Sequence, residues 1–189
     1  MRVLVVDESV ERGELLRAAL RREGYEVAAA LHSPLALLKT IETVRPDVVV
    51  MAVDSPSRDV LEHLVMVTQH TPRPIVMFSA DGAPDAIRNA TRAGVSAYVV
   101  DGLDRKDIKA IVDAAIARFE EFQALRIQLA AANLKLFERK LIERAKGMLM
   151  KRRGLDEDAA YAALRKMAMD RNIRLGDVAR SLLAAAELL

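Results

Sequence analysis

Three short apolar runs of the sequence end in polar side chains that could act together on a phosphoryl group. Asp7 and Glu8 follow the run VLVV, Asp54 follows the run DVVVMAV, and Ser79 ends the run that begins at Ile75. Carboxylate oxygens suit Mg²⁺, an aspartate can act as a nucleophile, and a hydroxyl can hold a phosphoryl oxygen. The pattern therefore predicts a magnesium-and-phosphate site, with Asp7, Glu8 and Asp54 as the candidate metal ligands.

A simpler explanation competes with this one at each position. Polar residues commonly cap buried strands, and for any single residue of the set that explanation is favoured. In open parallel sheets, however, ligands bind beyond the carboxyl ends of the strands. The occurrence of all these residues at such ends favours a site.

The apolar runs alternate with helical patterns over the first 117 residues. Strands are predicted at residues 1–6, 25–31, 47–53, 75–78 and 96–100, with helices between them. Short, nearly continuous apolar strands that alternate with helices indicate a parallel sheet covered on both faces. The predicted fold class is a doubly wound α/β domain with five parallel strands.

A long helical pattern follows, from Asp104 to Gly147, without proline or glycine in between. A strict heptad seam and a drifting, more apolar seam both fit it. The strict seam contains Phe119, Phe122, Arg126, Leu129, Asn133 and Leu136, and the drifting seam contains Leu125, Leu129, Ala132 and Leu136. Either seam predicts a coiled-coil dimerisation helix over residues 118–137. The alternative is an ordinary helix that packs on its own domain.

The last part of the chain, residues 138–189, has the pattern of three short helices. Two amphipathic helices join at Gly154, with Asp156 as the N-cap of the second, and a third begins near Leu175. Helical spacing places Ala160, Tyr161, Leu164, Met167 and Ala168 on one apolar stripe. One shared core would make these helices a small all-α domain.

Composition excludes several classes of function. The sequence has no cysteine, which excludes disulfides, thiol catalysis and cysteine-based zinc sites and fits a cytoplasmic protein. No apolar run approaches membrane-spanning length, and the sequence opens on a strand pattern, so neither a membrane anchor nor a signal peptide is expected.

The small net charge of +2 hides an asymmetry. Residues 1–117 contain 14 Lys and Arg against 17 Asp and Glu, a balance of −3, whereas residues 118–189 contain 15 against 10, a balance of +5. An acidic first part followed by a basic second part is typical of a regulated protein that binds a polyanion. A solvated helical surface would give the same balance.

Residues 1–117 resemble a response-regulator receiver domain, which implies a flavodoxin-like fold. In this resemblance Asp7 and Glu8 match the acidic pair that holds Mg²⁺, and Asp54 matches the phospho-acceptor. Ser79 and Tyr98 match the switch residues. The family has Lys-Pro after its fifth strand, where this sequence has Asp101 and Gly102, and the loop SPSRD is shorter than usual. A carboxylate in place of the lysine disfavours phosphorylation.

Residues from about 137 to 189 resemble the ANTAR domain, an RNA-binding module of transcription antitermination regulators. The stretches IERAKGMLM and AYAALRKMAM carry the resemblance, together with Val178 and Ala179. A receiver without its lysine before such a domain is similar to the nitrate-assimilation antiterminators. That group implies control by a ligand-sensing partner that sequesters the regulator, with a nitrate or nitrite sensor as the candidate.

RNA hairpins are bound by cations that contact phosphates and by planar side chains that stack on loop bases. The candidate phosphate contacts are Lys146, Lys151, Arg152 and Arg174, and the candidate stacking pair is Tyr161 and Arg165. A core position for Tyr161 and a solvated surface for each cation are the simpler alternatives.

Two other functions compete with RNA binding. A DNA-binding response regulator would need a helix with several polar side chains for base edges, and the last helix is poor in them, so DNA is disfavoured. A protein-interaction module would use the C-terminal part only to dimerise. No enzymatic activity is expected, because His32, His63 and His70 lie outside the strand-end rim.

Overall fold

The computed structural model of the chain describes residues 1–101 and 107–187. The chain divides into two compact units, Met1–Gln123 and Ala124–Leu189. Gly102 and the predicted start of the long helix at Asp104 lie outside the described residues. Within the described ranges, no helix has the length and apolar character needed to cross a membrane.

The first unit alternates strands and helices in the predicted order. Its strands are β1 (Arg2–Asp7), β2 (Glu26–Leu31), β3 (Val48–Val53), β4 (Ile75–Ser79) and β5 (Ala97–Val100), and its helices are α1 (Val10–Arg22), α2 (Leu37–Val44), α3 (Arg58–His70), α4 (Pro84–Arg92) and the start of α5 (Ile108–Arg153). All strand pairs are parallel, in the order β2-β1-β3-β4-β5. The predicted five-stranded parallel sheet is confirmed.

The central strand β3 shows why the sheet needs helices on both faces. All six of its residues are buried, and successive side chains on a strand point to opposite faces. Every second residue of β3, starting at Val49, packs in one cluster with α2 and α3. The other three residues, starting at Val48, pack in a second cluster with α1 and α5. A continuous apolar run is stable only with cover on both sides, which is the doubly wound arrangement.

The helix predicted between β2 and β3 begins with a 3-10 turn, Pro34–Ala36. The Ser33 hydroxyl accepts a hydrogen bond from the backbone N–H of Leu35 at 3.3 Å. Pro34 fits this first turn because its missing N–H would have no helical partner there. The α-helix α2 starts only at Leu37.

The second unit consists of the rest of α5, α6 (Glu157–Arg171) and α7 (Leu175–Glu187). Helix α5 continues through Gly147 and ends before Gly154, whose φ of +63° is a left-handed conformation that favours glycine. The Asp156 side chain then accepts from the Ala159 N–H at 2.7 Å, which confirms it as the N-cap of α6.

One core joins the three helices of this unit. Its buried members are Leu141, Ala145, Leu149, Ala160, Leu164, Ala168, Val178 and Ala179. Tyr161 is not among them, since 44% of its surface is exposed, and its predicted place on the apolar stripe was therefore wrong. Ala160, Leu164 and Ala168 of the same predicted stripe are buried, as expected.

In the single chain, apolar side chains in the middle of α5 are not buried against other helices. Leu125, Leu129 and Leu136, which belong to the drifting seam, are each more than half exposed. Large apolar side chains in a row on one helix face usually meet a partner surface. A homodimer through this face stays a prediction.

Candidate functional site

The carboxyl ends of β1, β3 and β4 bring the candidate residues of the first unit to one edge of the sheet. Asp7 pairs with Ala52 on β3, and Ser79 pairs with Val53, so that Asp54 follows directly beyond the same edge. The exposure of the two aspartates differs sharply, since the Asp7 side chain is 1% exposed and the Asp54 side chain 85%. Parallel strands therefore assemble the predicted rim.

Arg12 on α1 lies between these two carboxylates. Its Nε donates to Asp7 Oδ1 at 3.1 Å and to Oδ2 at 3.0 Å, and its Nη2 lies 2.9 Å from Oδ1. Its Nη1 donates to Asp54 Oδ1. The hydrogen bond with Asp7 is the main cause of a raised Arg12 pKa, burial opposes it, and Asp54 adds to it. The guanidinium is thus a fixed positive charge at the rim.

Sequence reasoning missed Arg12, although a local signal was present. Ser9 caps α1 by accepting from the Arg12 N–H at 3.3 Å, which puts Arg12 in the first turn. The helix dipole favours acidic residues in that turn and opposes cations. An arginine there, five residues after a strand-end aspartate, indicates that its charge has a specific partner.

The expected Mg²⁺ site is not assembled in this arrangement. Arg12 already engages Asp7 and Asp54, and Glu8 is exposed. Among the residues that the structure describes, no group of three or more histidine, aspartate or glutamate side chains could hold a metal ion. A guanidinium holds carboxylate oxygens of Asp7 and Asp54 that the ion would need, and a site formed by Asp7, Glu8 and Asp54 stays a prediction.

The two predicted switch residues bond to backbone atoms of the rim. The Ser79 hydroxyl donates to the Asp54 carbonyl oxygen at 3.0 Å, and the Tyr98 hydroxyl donates to the Asp81 carbonyl oxygen at 2.6 Å. The Asp81 carboxylate accepts from the Ser55 hydroxyl at 2.7 Å and from the Ala83 N–H at 2.9 Å. We call these groups the Asp81 network. Sequence reasoning missed Asp81, whose only local signal was the turn dipeptide Asp81-Gly82.

Asp101 stands directly after β5, on the same edge of the sheet. Its N–H donates to the Ser79 carbonyl oxygen at 3.1 Å, and its residue is exposed. Its φ of +49° lies in the left-handed region, which aspartate tolerates better than most residues. Asp101 is therefore part of the rim through its backbone.

The candidate cations of the second unit fall into two groups. Lys146 is 8% exposed, and its Nζ donates to Glu157 at 2.7 Å and to Glu143 at 3.1 Å. These carboxylates raise the pKa of Lys146, Glu157 more than Glu143. Lys146 therefore links α5 to α6 and is not presented to a phosphate. Arg152 is exposed, but its Nη2 also donates to the Ala186 carbonyl oxygen at 3.3 Å.

The remaining candidates are all at the surface. Lys151, Arg165 and Arg174 are exposed, and within the described part of the chain they have no side-chain hydrogen bond or ion pair. Tyr161 is exposed one helical turn before Arg165 on α6. A planar aromatic group and a guanidinium are thus available on one helix.

Two protein-family models match the chain in sequence order. The response regulator receiver domain matches residues 3–113, and the ANTAR domain matches residues 130–183. The transcriptional regulatory protein PdtaR of Mycobacterium tuberculosis is 33% identical over 183 residues, which cover 96% of this chain and 89% of PdtaR. The chain belongs to the receiver–ANTAR response regulators. This is a family of regulators and not of enzymes.

Other proteins match parts of the receiver–ANTAR regulator. The nitrate regulatory protein of Klebsiella oxytoca is 52% identical over 68 residues, which are 36% of this chain and 17% of that protein. The receiver domain of NarL from Mycobacterium tuberculosis has a TM-score of 0.53 at 24% identity and covers 60% of this chain and 94% of its own. A CheY-like receiver domain from Methanospirillum hungatei has a TM-score of 0.55 at 21% identity and covers 64% and 96%. These two structures support the fold alone.

The family matches and the structural units place the boundary between the two domains at different residues. The receiver match ends at residue 113 and the ANTAR match begins at residue 130, whereas the structural units meet after Gln123. Helix α5 runs through all these positions without a break. The predicted division after residues 117 and 137 stays a prediction.

The Asp81 network predicts a specific acid sensitivity of the receiver domain. Hydrogen bonds from Ser55, and then from the Ala83 N–H, hold the pKa of Asp81 below its usual value. A carboxyl group with a lowered folded-state pKa stabilises the fold above its unfolded pKa of about 4, and this stabilisation is lost as the pH falls through the folded pKa. As the pH falls below about 4, the Tm of Asp81→Asn should therefore decrease less than the Tm of the unchanged protein.

The measurement is a series of thermal unfolding curves across this pH range. Glu42→Gln serves as the control, because it removes one exposed carboxylate of the same unit outside the Asp81 network. Parallel pH profiles for Asp81→Asn and the unchanged protein would contradict the prediction.

Proposed function

We propose that this receiver–ANTAR regulator is a transcription antiterminator that binds RNA stem-loops in a nascent leader transcript. The observation that carries the proposal is the ANTAR match over residues 130–183, in a part of the chain with a charge balance of +5. ANTAR domains bind RNA, and a basic surface supplies the salt-dependent attraction to phosphates. Binding would favour the antiterminated form of the transcript, in the cytoplasm.

The exposed side chains of the ANTAR domain support specific roles in this proposal. Lys151 and Arg174 would contact phosphates, with Arg152 beside Lys151 at the end of α5. Tyr161 and Arg165 would stack on a base of the hairpin loop, since every base offers a flat face to such groups. Lys146 is withdrawn from the set, because its ammonium group is held by two glutamates.

The alternative function is DNA binding, and the composition of α7 disfavours it. The polar side chains on α7 are few, and Arg180 is turned to an ion pair with Asp177 at 3.4 Å. Base readout in the major groove needs several polar side chains from one helix. The exposed cations instead lie at the end of α5, on α6 and just before α7.

Two sets of variants should affect RNA binding differently, one for hairpins of any loop sequence and one for the matching loop alone. Lys151→Gln with Arg174→Gln should weaken binding to hairpins of any loop sequence and reduce the salt slope by about 1 for each cation removed. Tyr161→Ala should weaken binding to the matching loop by about 1–3 kcal/mol, and Tyr161→Phe should not, because it keeps the ring.

Fluorescence anisotropy with a leader hairpin and a loop-scrambled copy, over several salt concentrations, measures both effects. Lys39→Gln, an exposed cation on α2 of the receiver domain, is the matched control. Normal affinity in the double variant and in Tyr161→Ala would refute this surface. Absence of RNA affinity at every salt concentration would favour the protein-interaction module, and preference for the matching duplex DNA would favour the DNA-binding regulator.

We also propose that the regulator dimerises through the exposed middle of α5. The exposed Leu125, Leu129 and Leu136 support this interface, which would be a two-stranded coiled coil. Two ANTAR domains in one particle could hold two hairpins, and the second hairpin would bind at a raised effective concentration.

Leu129→Glu with Leu136→Glu should produce a monomer in analytical ultracentrifugation, because two buried charges per chain would oppose pairing. Ala131→Glu adds the same charge on the opposite side of the helix, about half a turn away, and should leave the dimer intact. A dimer that survives the leucine changes would place the interface elsewhere.

For the receiver domain we propose control by a sensor protein that sequesters the regulator, and not by phosphorylation. Asp101 replaces the lysine that a receiver needs, and Arg12 already engages Asp54. The similarity to the nitrate regulatory protein supports a nitrate or nitrite sensor as the candidate. The ligand would release the regulator by favouring the uncomplexed partner.

Asp54→Asn should leave RNA affinity and antitermination in cells nearly unchanged, because the phosphorylated form plays no part in this scheme. RNA binding by the purified protein is compared before and after addition of acetyl phosphate. Loss of activity in Asp54→Asn with the fold intact, or stoichiometric labelling of Asp54 that raises RNA affinity, would restore a phosphorylation switch.

A further inference from the structure

The charge of Asp7 requires a compensating cation in any state of the receiver domain. Its side chain is almost fully buried, and a buried carboxylate without a partner is strongly unfavourable. Receiver domains commonly meet this requirement with Mg²⁺. In this chain the compensating groups are the Arg12 guanidinium and the Ser9 N–H, which donates to Asp7 Oδ1 at 2.9 Å.

The guanidinium occupies the side of the Asp7 carboxylate that a divalent ion would approach. Oδ1 accepts from the Ser9 N–H and from Arg12 Nε and lies 2.9 Å from Arg12 Nη2, and Oδ2 also accepts from Arg12 Nε. Mg²⁺ needs carboxylate oxygens at about 2.0–2.1 Å in an octahedral shell and gives up its waters reluctantly. Direct Mg²⁺ coordination by Asp7 would therefore compete with the guanidinium for these oxygens.

The same guanidinium reaches the residue at the acceptor position. Arg12 Nη1 donates to Asp54 Oδ1, and Arg12 Nη2 lies 3.4 Å from the Ala52 carbonyl oxygen of β3. The side chain therefore spans the ends of β1 and β3, as a bridging ion would. A planar group with several donors suits this role better than a lysine ammonium.

We propose that Arg12 is the resident cation of the acidic pocket, where its guanidinium replaces the divalent ion and holds Asp54 as an ion-paired carboxylate. The rim then keeps its arrangement in the absence of metal. The inference concerns the receiver domain only and stands apart from RNA binding.

The test is a thermal unfolding series of the full-length protein with Mg²⁺, against potassium chloride of equal ionic strength. The unchanged protein should show no Mg²⁺-specific shift in Tm. Arg12→Gln should have a lower Tm without metal and should gain a Mg²⁺-dependent increase, with Mg²⁺ binding about tenfold tighter because the competing guanidinium is gone. Addition of Asp54→Asn to Arg12→Gln should reduce that gain, since it removes a ligand.

Arg17→Gln is the matched control. Arg17 is also on α1, is similarly little exposed, and pairs with Glu14 away from the rim. It should show no Mg²⁺ response. A response equal to that of Arg12→Gln would mean that the effect is not specific to the pocket and would overturn the proposal.

Two measurements on the unchanged protein keep the proposal testable even if Arg12→Gln does not fold. Mn²⁺ should not broaden the amide resonances of Asp54 and Ser55 selectively in NMR spectra, and selective broadening at low Mn²⁺ would overturn the proposal. Acetyl phosphate should not label Asp54. Labelling of Asp54 would show that the carboxylate is open to a phosphoryl donor in spite of Arg12, and would also overturn the proposal.

Discussion

The buried charge of Asp7 is the constraint that orders the carboxyl end of the sheet. Removal of one partner from a fully buried ion pair costs about 3–5 kcal/mol, and the partial exposure of Arg12 puts this pair at the lower end. The start of α1 follows from this need. Ser9 donates its N–H to Asp7 and accepts from the Arg12 N–H, so the helix cap and the ion pair stabilise the same turn.

This constraint also bears on how the regulator is controlled. A receiver domain that depends on metal and phosphate changes state when those ligands bind or leave. Here hydrogen bonds connect the rim of the sheet. Arg12 on α1 bonds to Asp7 and Asp54, and the Ser79 hydroxyl joins the Asp54 carbonyl oxygen to the Asp81 N–H. The Tyr98 hydroxyl then bonds to the Asp81 carbonyl oxygen. Control by a protein that covers a surface needs no rearrangement of such a rim.

Local patterns were enough to predict the sheet, the helix cap at Asp156 and the glycine at the end of α5, because each depends on neighbours in sequence. Arg12 was missed although its place in the first turn of α1 was a local signal, whereas Asp81 was missed because its partners Ser55 and Tyr98 are distant in sequence. Lys146 illustrates the difference. Its helical position indicates a flanking cation, but Glu157 on another helix decides its role. Helical spacing put both Ala160 and Tyr161 on the inward stripe, but only Ala160 is buried, because adjacent positions differ by about 100° around a helix.

The cluster of Lys146 with Glu143 and Glu157 changes the electric field that an approaching nucleic acid meets. One base and two acids give this cluster a charge of −1, whereas residues 118–189 together have a balance of +5. The rest of that region therefore has a balance of +6. The ammonium group of Lys146 is neutralised locally, so the positive field of this region comes from its other cations. Such a surface accelerates diffusional encounter with a polyanion, and this gain declines as ionic strength rises.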